Sequence, residues 1–259
     1  MLRLRVNMGH IIAVVNQKGG VGKTTTVINL ASYLGKLKKT VLIIDIDPQG
    51  NATSGLGINK NLVSGSTTEF LLGHMTLKQA VVQVEPKVDI VPTGQSLAAL
   101  ELELVNVQAR EFKLKQALQG CKYDYVLIDC PPSLSLLTVN ALTAADSVLI
   151  PVQTEFYALE GLSQLLEIVG LIKKGLNPDL ELLGVVLTMY DSRTTLSEQV
   201  RLEVANHFGD KVFNTVIPRN VRLAEAPSYG KSISSYDKWS KGAKSYKALA
   251  KEFQRRTTA

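Results

Sequence analysis

Two cysteines, Cys121 and Cys130, are all that the 259 residues contain. That is too few for a disulfide framework and gives no metal-binding spacing, so a reduced, cytosolic protein is the natural reading. Histidine is nearly as scarce: His10, His74 and His207 stand apart, with no cysteine or carboxylate cluster around them, which excludes a centre of convergent imidazoles. No apolar run approaches the ~20 residues of a membrane span. The opening MLRLRVNMGH has two arginines but lacks the apolar stretch of a secretory signal, so residues 1–9 read as a leader and Met8 as a second candidate start. No Pro/Gly-rich linker, low-complexity tract or repeat divides the chain, and residues 1–259 read as one domain.

Hydrophobic residues at 45% and charged residues at 20% are enough to bury a real core. The net charge of +6 is unevenly placed. From Lys211 onward eleven lysines and arginines face three acids, so the tail carries +8 and the rest of the chain −2. A basic end on a near-neutral body points to an anionic partner, nucleic acid or a membrane surface.

Short β-branched runs alternate with longer helical patterns. Strands are expected at Ile11–Val15, Thr40–Ile44, Val88–Val91, Tyr125–Ile128, Ser147–Val152, Leu183–Thr188 and Val212–Ile217. Several are apolar without alternation, as strands covered on both faces are. Helices are expected over residues 24–37, 95–118, 159–174, 195–207 and 241–256; in the first, Val27, Ile28, Ala31, Leu34 and Leu37 recur at helical spacing. The fold class is α/β: a doubly wound, mostly parallel twisted sheet with helices on both faces.

Between the first strand and the first helix lies Asn16-Gln-Lys-Gly-Gly-Val-Gly-Lys-Thr-Thr-Thr26. A phosphate-binding loop reads Gly, four residues, then Gly-Lys-Ser/Thr. Gly22, Lys23 and Thr24 supply its end, but Gln17 stands where the opening glycine belongs, and a second lysine, Lys18, follows. Gly19, Gly20, Val21 and Gly22 let backbone N–H groups curl around phosphate oxygens, with the helix N-terminus adding partial positive charge. Lys23 would reach the β- and γ-phosphates, Thr24 would ligate Mg²⁺, and Thr25 would donate to the α-phosphate. Asp45 and Asp47 close one expected strand and Asp129 another, at the carboxyl ends where open α/β sheets bind ligands. An apolar strand ending in Asp is what holding Mg²⁺ or its water requires.

KGGVGKTT resembles the deviant Walker A loop of the ParA/MinD family of P-loop ATPases. Asp45-Ile-Asp47-Pro-Gln-Gly-Asn-Ala, Asp129-Cys-Pro-Pro-Ser, Ile217-Pro-Arg-Asn-Val-Arg-Leu-Ala-Glu-Ala-Pro-Ser-Tyr-Gly and Tyr236-Asp-Lys-Trp-Ser-Lys-Gly-Ala resemble its chromosome-partitioning ParA/Soj branch. The likeness runs over roughly residues 10–256. It implies an Mg²⁺-dependent ATPase whose ATP-bound sandwich dimer binds double-stranded DNA without sequence preference. A ParB-type partner would stimulate hydrolysis and release, placing the protein on the nucleoid.

The same resemblance implies roles residue by residue. Lys18 would cross the dimer interface to the other subunit's phosphates, and Glu155 lies in a segment of that interface. Asp47 would position the attacking water, while Asp45 and Asp129 would support Mg²⁺ through waters. Pro218 and Asn220 would contact adenine. Arg193 and Arg222 would contact DNA, with Lys238 and Lys241 supplying the surrounding field. Trp239 has no role that the sequence argues. A MinD-like regulator at a membrane surface is the alternative reading. It needs a C-terminal helix with a lipid-entering face; Tyr246, Leu249 and Phe253 read better as packed on their own domain, and no stable membrane association is expected.

Overall fold

Strand runs with no polar alternation need cover on both sides, and the sheet has it. The computed structural model describes residues 9–63, 66–155 and 158–258; residues 1–8 of the expected leader lie outside them. Seven strands among these residues form one sheet: β1 His10–Val14, β2 Val41–Asp45, β3 Val82–Glu85, β4 Val88–Val91, β5 Tyr125–Asp129, β6 Ser147–Gln153 and β7 Glu181–Thr188. Their order is β3-β4-β2-β5-β1-β6-β7. Every pairing is parallel except that of β3 with β4 at one edge.

Successive residues of β1 point to opposite layers. Ile12 and Val14 join a core with Val27, Leu30 and Leu34 of helix Lys23–Lys36 and with Tyr246, Leu249 and Phe253 of helix Lys241–Thr258. Ile11 and Ala13 join a second core with Leu100, Leu142 and Leu165, beneath the helices of the other layer. The parallel register aligns strand ends: Asp45 of β2 and Val14 of β1 both pair with Asp129 of β5. The loop after β1 therefore opens beside two acidic strand ends.

Two expectations are corrected. Residues 212–217 form no strand. Phe213 and Ile217 donate backbone hydrogen bonds to Val185 and Leu187 of β7 at 2.9 and 2.8 Å, as a paired segment would. Between them, however, the N–H groups of Asn214 and Thr215 donate to the Glu252 carboxylate at 2.8 and 2.9 Å. A buried side chain has taken the ladder's donors. The missing strand is replaced in number by β3, whose half-exposed Val-Gln-Val-Glu lacks the apolar run of its neighbours. The expected helix over 95–118 is also broken, into Leu97–Glu103, a 3₁₀ turn at Arg110–Phe112, and Lys113–Ala117. Asn140 holds the break open: its Nδ2 donates to the Arg110 carbonyl at 2.9 Å and its Oδ1 accepts from Leu114 N at 3.1 Å. Leu97, Leu100, Leu104, Leu114 and Leu118 are all buried, so the apolar period runs on across the interruption.

Glu252 fixes the segment that leads to Pro218 and Asn220, and Arg256 pairs with it at 3.1 Å. Burial pushes its carboxyl up, but the hydrogen bonds from Thr215 and Asn214 and the charge of Arg256 outweigh that and hold it below the usual range. A depressed carboxyl stabilises the fold above its unfolded pKa of ~4.3 and loses that contribution as pH falls through the folded value. Glu252→Gln should therefore cost about 2 kcal/mol at pH 7, typical of hydrogen bonds to a charged acceptor, with the gap to wild type closing below pH ~4. Urea unfolding at the two pH values measures it.

Candidate nucleotide site

The loop's shape comes from two glycines. Gly20 and Gly22 have φ of +76° and +89°, a region that side chains with a Cβ rarely occupy. Gly22 is also the N-cap of helix Lys23–Lys36, accepting from Thr26 N at 2.9 Å. Asn16 pins the entrance: its Nδ2 donates to the Pro151 carbonyl at 2.8 Å and its Oδ1 accepts from Lys18 N at 3.0 Å. Thr188, at the end of β7, clamps the middle by donating to the Val21 carbonyl at 2.8 Å.

Lys23 is buried, and its ammonium donates to the Lys18 carbonyl at 3.1 Å, so it spans the loop from inside. Burial lowers its pKa, against the opposing pull of Asp129, Cys130 and Asp47. Lys18 points outward to an exposed ion pair with Glu155. The two lysines thus have opposite surroundings, one walled in beside acids and one in solvent.

Asp129 is fully buried. Its Oδ2 accepts from Thr24 Oγ1 at 2.8 Å, while its Oδ1 has no hydrogen-bond partner. Burial, then the charge of Asp45, push its carboxyl well above the usual range. Asp45 is equally buried but satisfied: Oδ2 accepts from Thr53 N and Oγ1 at 2.8 and 2.6 Å, and Oδ1 from Asp47 N at 3.2 Å. Burial raises it to about 6 despite the Thr53 hydrogen bonds. Asp47 is buried at the mouth, its Oδ1 accepting from Gln49 N at 2.9 Å. Asp45, expected to support a metal through water, has both oxygens engaged in organising the turn that carries Asp47.

Among the described residues no group of three or more His, Cys, Asp or Glu could hold a metal by itself. A divalent cation bound to a phosphate ligand does fit, because Thr24 offers a hydroxyl and Asp129 an orphaned carboxyl oxygen beside it. Above these groups lies a cavity of about 560 Å³, lined by Gly20, Lys23, Thr24, Asp47, Pro227 and Lys231 among others. A second, apolar cavity of about 350 Å³ is lined by Met189, Ile217, Pro218, Asn220, Leu223 and Tyr246. Gly22 and Thr25 line both, so the two adjoin at the loop. Asn220 Oδ1 is buried and unpartnered. A groove that presents Lys23, Thr24 and Asp47, next to an apolar slot with one free acceptor, suits a phosphate chain and a flat heterocycle. A cleft of about 650 Å³ lined by Asp146, Lys211 and Arg256 lies at the amino ends of the strands, away from where parallel sheets bind ligands.

The expected DNA residues lie on neighbouring segments. Arg219 N donates to the Tyr190 carbonyl at 3.1 Å, setting residues 190–193 beside 219–222. Arg193 is exposed and bonded to Asp191 at 2.6 and 2.9 Å, holding that carboxyl below the usual range. Arg222 pairs with Glu225 at 2.8 Å and lies 3.6 Å from Asp237. Lys241 is exposed at the start of the last helix, and the Lys238 ammonium sits 5.3 Å from the Trp239 ring centre.

Sequence reasoning did not single out Asn16, Thr53, Thr188 or Lys231. Thr188 carried a usable signal, a polar residue closing an apolar strand at the ligand end of the sheet. Lys231 carried none, because a loop after Asn220 folds back to the mouth.

A family model described as an AAA domain matches residues 9–182. The sporulation initiation inhibitor protein Soj of Bacillus subtilis is 56% identical over 95% of this chain and 98% of its own length. The chromosome partitioning protein ParA of Myxococcus xanthus is 52% identical over 97% of this chain and 90% of its own. Among solved structures, one described as cobyrinic acid a,c-diamide synthase from Mycobacterium smegmatis with bound ADP and magnesium superposes with a TM-score of 0.85 at 38% identity, over 97% of this chain and 96% of that one.

A buried acid with a raised pKa takes up a proton on folding, so the stability it permits falls as pH rises from its unfolded ~3.9 through the folded value. Asp129→Asn removes that burden. In the ligand-free protein it should raise Tm at pH 8 by about 2–4 °C, the shift worth ~1 kcal/mol in a chain of this size, with little change at pH 5. Differential scanning fluorimetry at both values checks it.

Proposed function

Because this chain belongs to the ParA/Soj family of P-loop ATPases, we propose that it is an ATP-dependent DNA-partitioning ATPase. Its ATP-bound dimer coats double-stranded DNA nonspecifically, and hydrolysis stimulated by a ParB-type partner releases it from the nucleoid. The observation that carries this is the division of labour between the two lysines: Lys23 is enclosed with Asp129 and Thr24, while Lys18 lies on the rim in a half-exposed ion pair with Glu155.

Lys23 and the amides of residues 19–25 hold the β- and γ-phosphates, and Asn220 and Pro218 bound the adenine slot. Thr24 and Asp129 would hold Mg²⁺, Asp129 through water; the ion supplies charge neutralisation between the phosphates. Asp47, carried by the turn that Asp45 and Thr53 organise, positions the attacking water. Lys18 of one protomer reaches the other's phosphates, where charge builds on the leaving oxygen. Its pairing with Glu155 supports this, since an exposed ion pair is worth only ~0–1 kcal/mol and yields readily to a phosphate.

The reading of a membrane-surface regulator is disfavoured by one contact set. Tyr246, Leu249 and Phe253, the apolar face of the last helix, are fully buried on this domain, and Tyr246 Oη lies 3.1 Å from Thr26 Oγ1. No described helix is long and apolar enough to cross a membrane. The diamide-synthase description belongs to a structure at 38% identity; partitioning names attach to relatives at 49–52%.

Lys18→Ala should still bind ATP, because Lys23 and the loop amides remain. It should lose ATP-driven dimerisation and ATP-dependent co-sedimentation with duplex DNA, with hydrolysis down about 10³-fold, the scale of a cation supplied in trans. Light scattering and phosphate release provide the test. A variant that dimerises and turns over like the parent would leave the outer lysine without this role.

A further inference from the structure

The sole tryptophan, Trp239, is 73% exposed, and it does not stand alone. Asp237 Oδ1 accepts from the backbone N–H of both Trp239 and Ser240 at 3.1 Å, while its Oδ2 lies 3.6 Å from Arg222 Nε. One carboxylate therefore fixes the turn that presents the indole and orients the arginine. Glu225 continues the chain of contacts, accepting from Arg222 at 2.8 Å and from Tyr236 Oη at 3.1 Å. Tyr236 stacks on Tyr229 with ring centres 5.0 Å apart, and Tyr229 is itself 65% exposed. Val221, beside Arg222, is 71% exposed. Helix Val221–Glu225 lies against the last helix so closely that a Cβ on Gly242 would meet Leu223 Cγ at 2.6 Å. These residues form one patch on a rigid base.

We propose that Trp239 is a nucleic-acid contact: an aromatic platform set into the basic surface around Arg222, to which Tyr229 is linked through Tyr236 and Glu225, and which adds apolar contact to phosphate neutralisation. The inference rests on the DNA-binding reading above.

Charge complementarity selects the occupant. From Arg219 to Lys244 there are six lysines and arginines against two acids, Glu225 and Asp237, and both acids are engaged with Arg222. A surface with that surplus attracts a polyanion. Lys238 lies over the indole, an arrangement that suits a partner carrying both phosphates and flat or apolar sugar–base surface. Trp239 is flanked in sequence by Lys238, Ser240 and Lys241, two cations and a hydroxyl in place of the bulky apolar neighbours that enter lipid. Phosphate contacts release counterions and weaken steeply with salt, each contributing a slope near −0.9 in log K against log[salt]. Aromatic contact releases none. The two parts of the surface are thus separable by their salt dependence.

The experiment uses the full chain with a non-hydrolysable ATP analogue and random-sequence duplex DNA, following Trp239 fluorescence and, separately, anisotropy of labelled DNA. Fluorescence should change on DNA addition. Trp239→Ala should weaken binding about fivefold at every salt concentration, the effect of losing roughly 40 Å² of apolar burial against sugar and groove surface, without altering the slope. Trp239→Phe should recover most of the loss, whereas Arg222→Glu should flatten the slope by about one phosphate. If wild type binds DNA but neither its fluorescence nor the affinity of Trp239→Ala changes, this assignment fails and the DNA-binding reading stands. A Trp239→Ala variant with a flattened slope also overturns it, since the residue would then act through charge. Fluorescence that answers vesicles of phosphatidylserine and phosphatidylcholine but not DNA assigns the patch to a membrane instead. No DNA binding by wild type overturns the parent reading and this one with it.

Discussion

Asp45 and Asp129 close adjacent parallel strands in register, both wholly buried. Two like charges at the dry end of a sheet oppose folding unless something answers them. Thr53 and the Asp47 amide answer Asp45, and that answer shapes the turn carrying Asp47. Asp129 receives only Thr24 on one oxygen, with Lys23 nearby. The orphaned Asp129 Oδ1 thus calls for a cation, and the glycine loop with Lys23 calls for an anion. A phosphate chain with its divalent counterion supplies both at once, which accounts for a buried lysine and a buried orphan oxygen persisting side by side.

Much of this was legible in the sequence. Six of the seven expected strands and the phosphate loop follow from local pattern, because apolar runs, Gly-rich turns and strand-ending acids act through their nearest neighbours. Illegible features depend on side chains distant in sequence. Glu252 takes the backbone donors of Asn214 and Thr215 and unmakes a strand that their own residues would permit. Asn140 does the same to a helix whose leucines keep perfect period. Within the site, Asp45 and Asp129 look alike as strand-ending acids, and only the reach of Thr53 shows that one is satisfied and the other is not.

The rim shows a second use of opposed surroundings. Lys18 lies outside the loop in an exchangeable pair with Glu155, and Arg222 lies between Glu225 and Asp237 on the basic segment. In both places a cation is held in position by exposed acids that cost little to displace. On the proposed reading, nucleotide would recruit a second protomer and the doubled basic surface would recruit DNA. The last helix joins these surfaces through Tyr246, which lines the apolar slot and touches Thr26 behind the loop.

The central claim is that the site is incomplete without a phosphate-bound divalent cation. The direct test is the Tm of the full chain at pH 8 with Mg²⁺ alone, with a non-hydrolysable ATP analogue in EDTA, and with both. The account predicts a small shift for either alone and a rise with both that exceeds their sum. Equal stabilisation by the analogue with and without Mg²⁺ would contradict it.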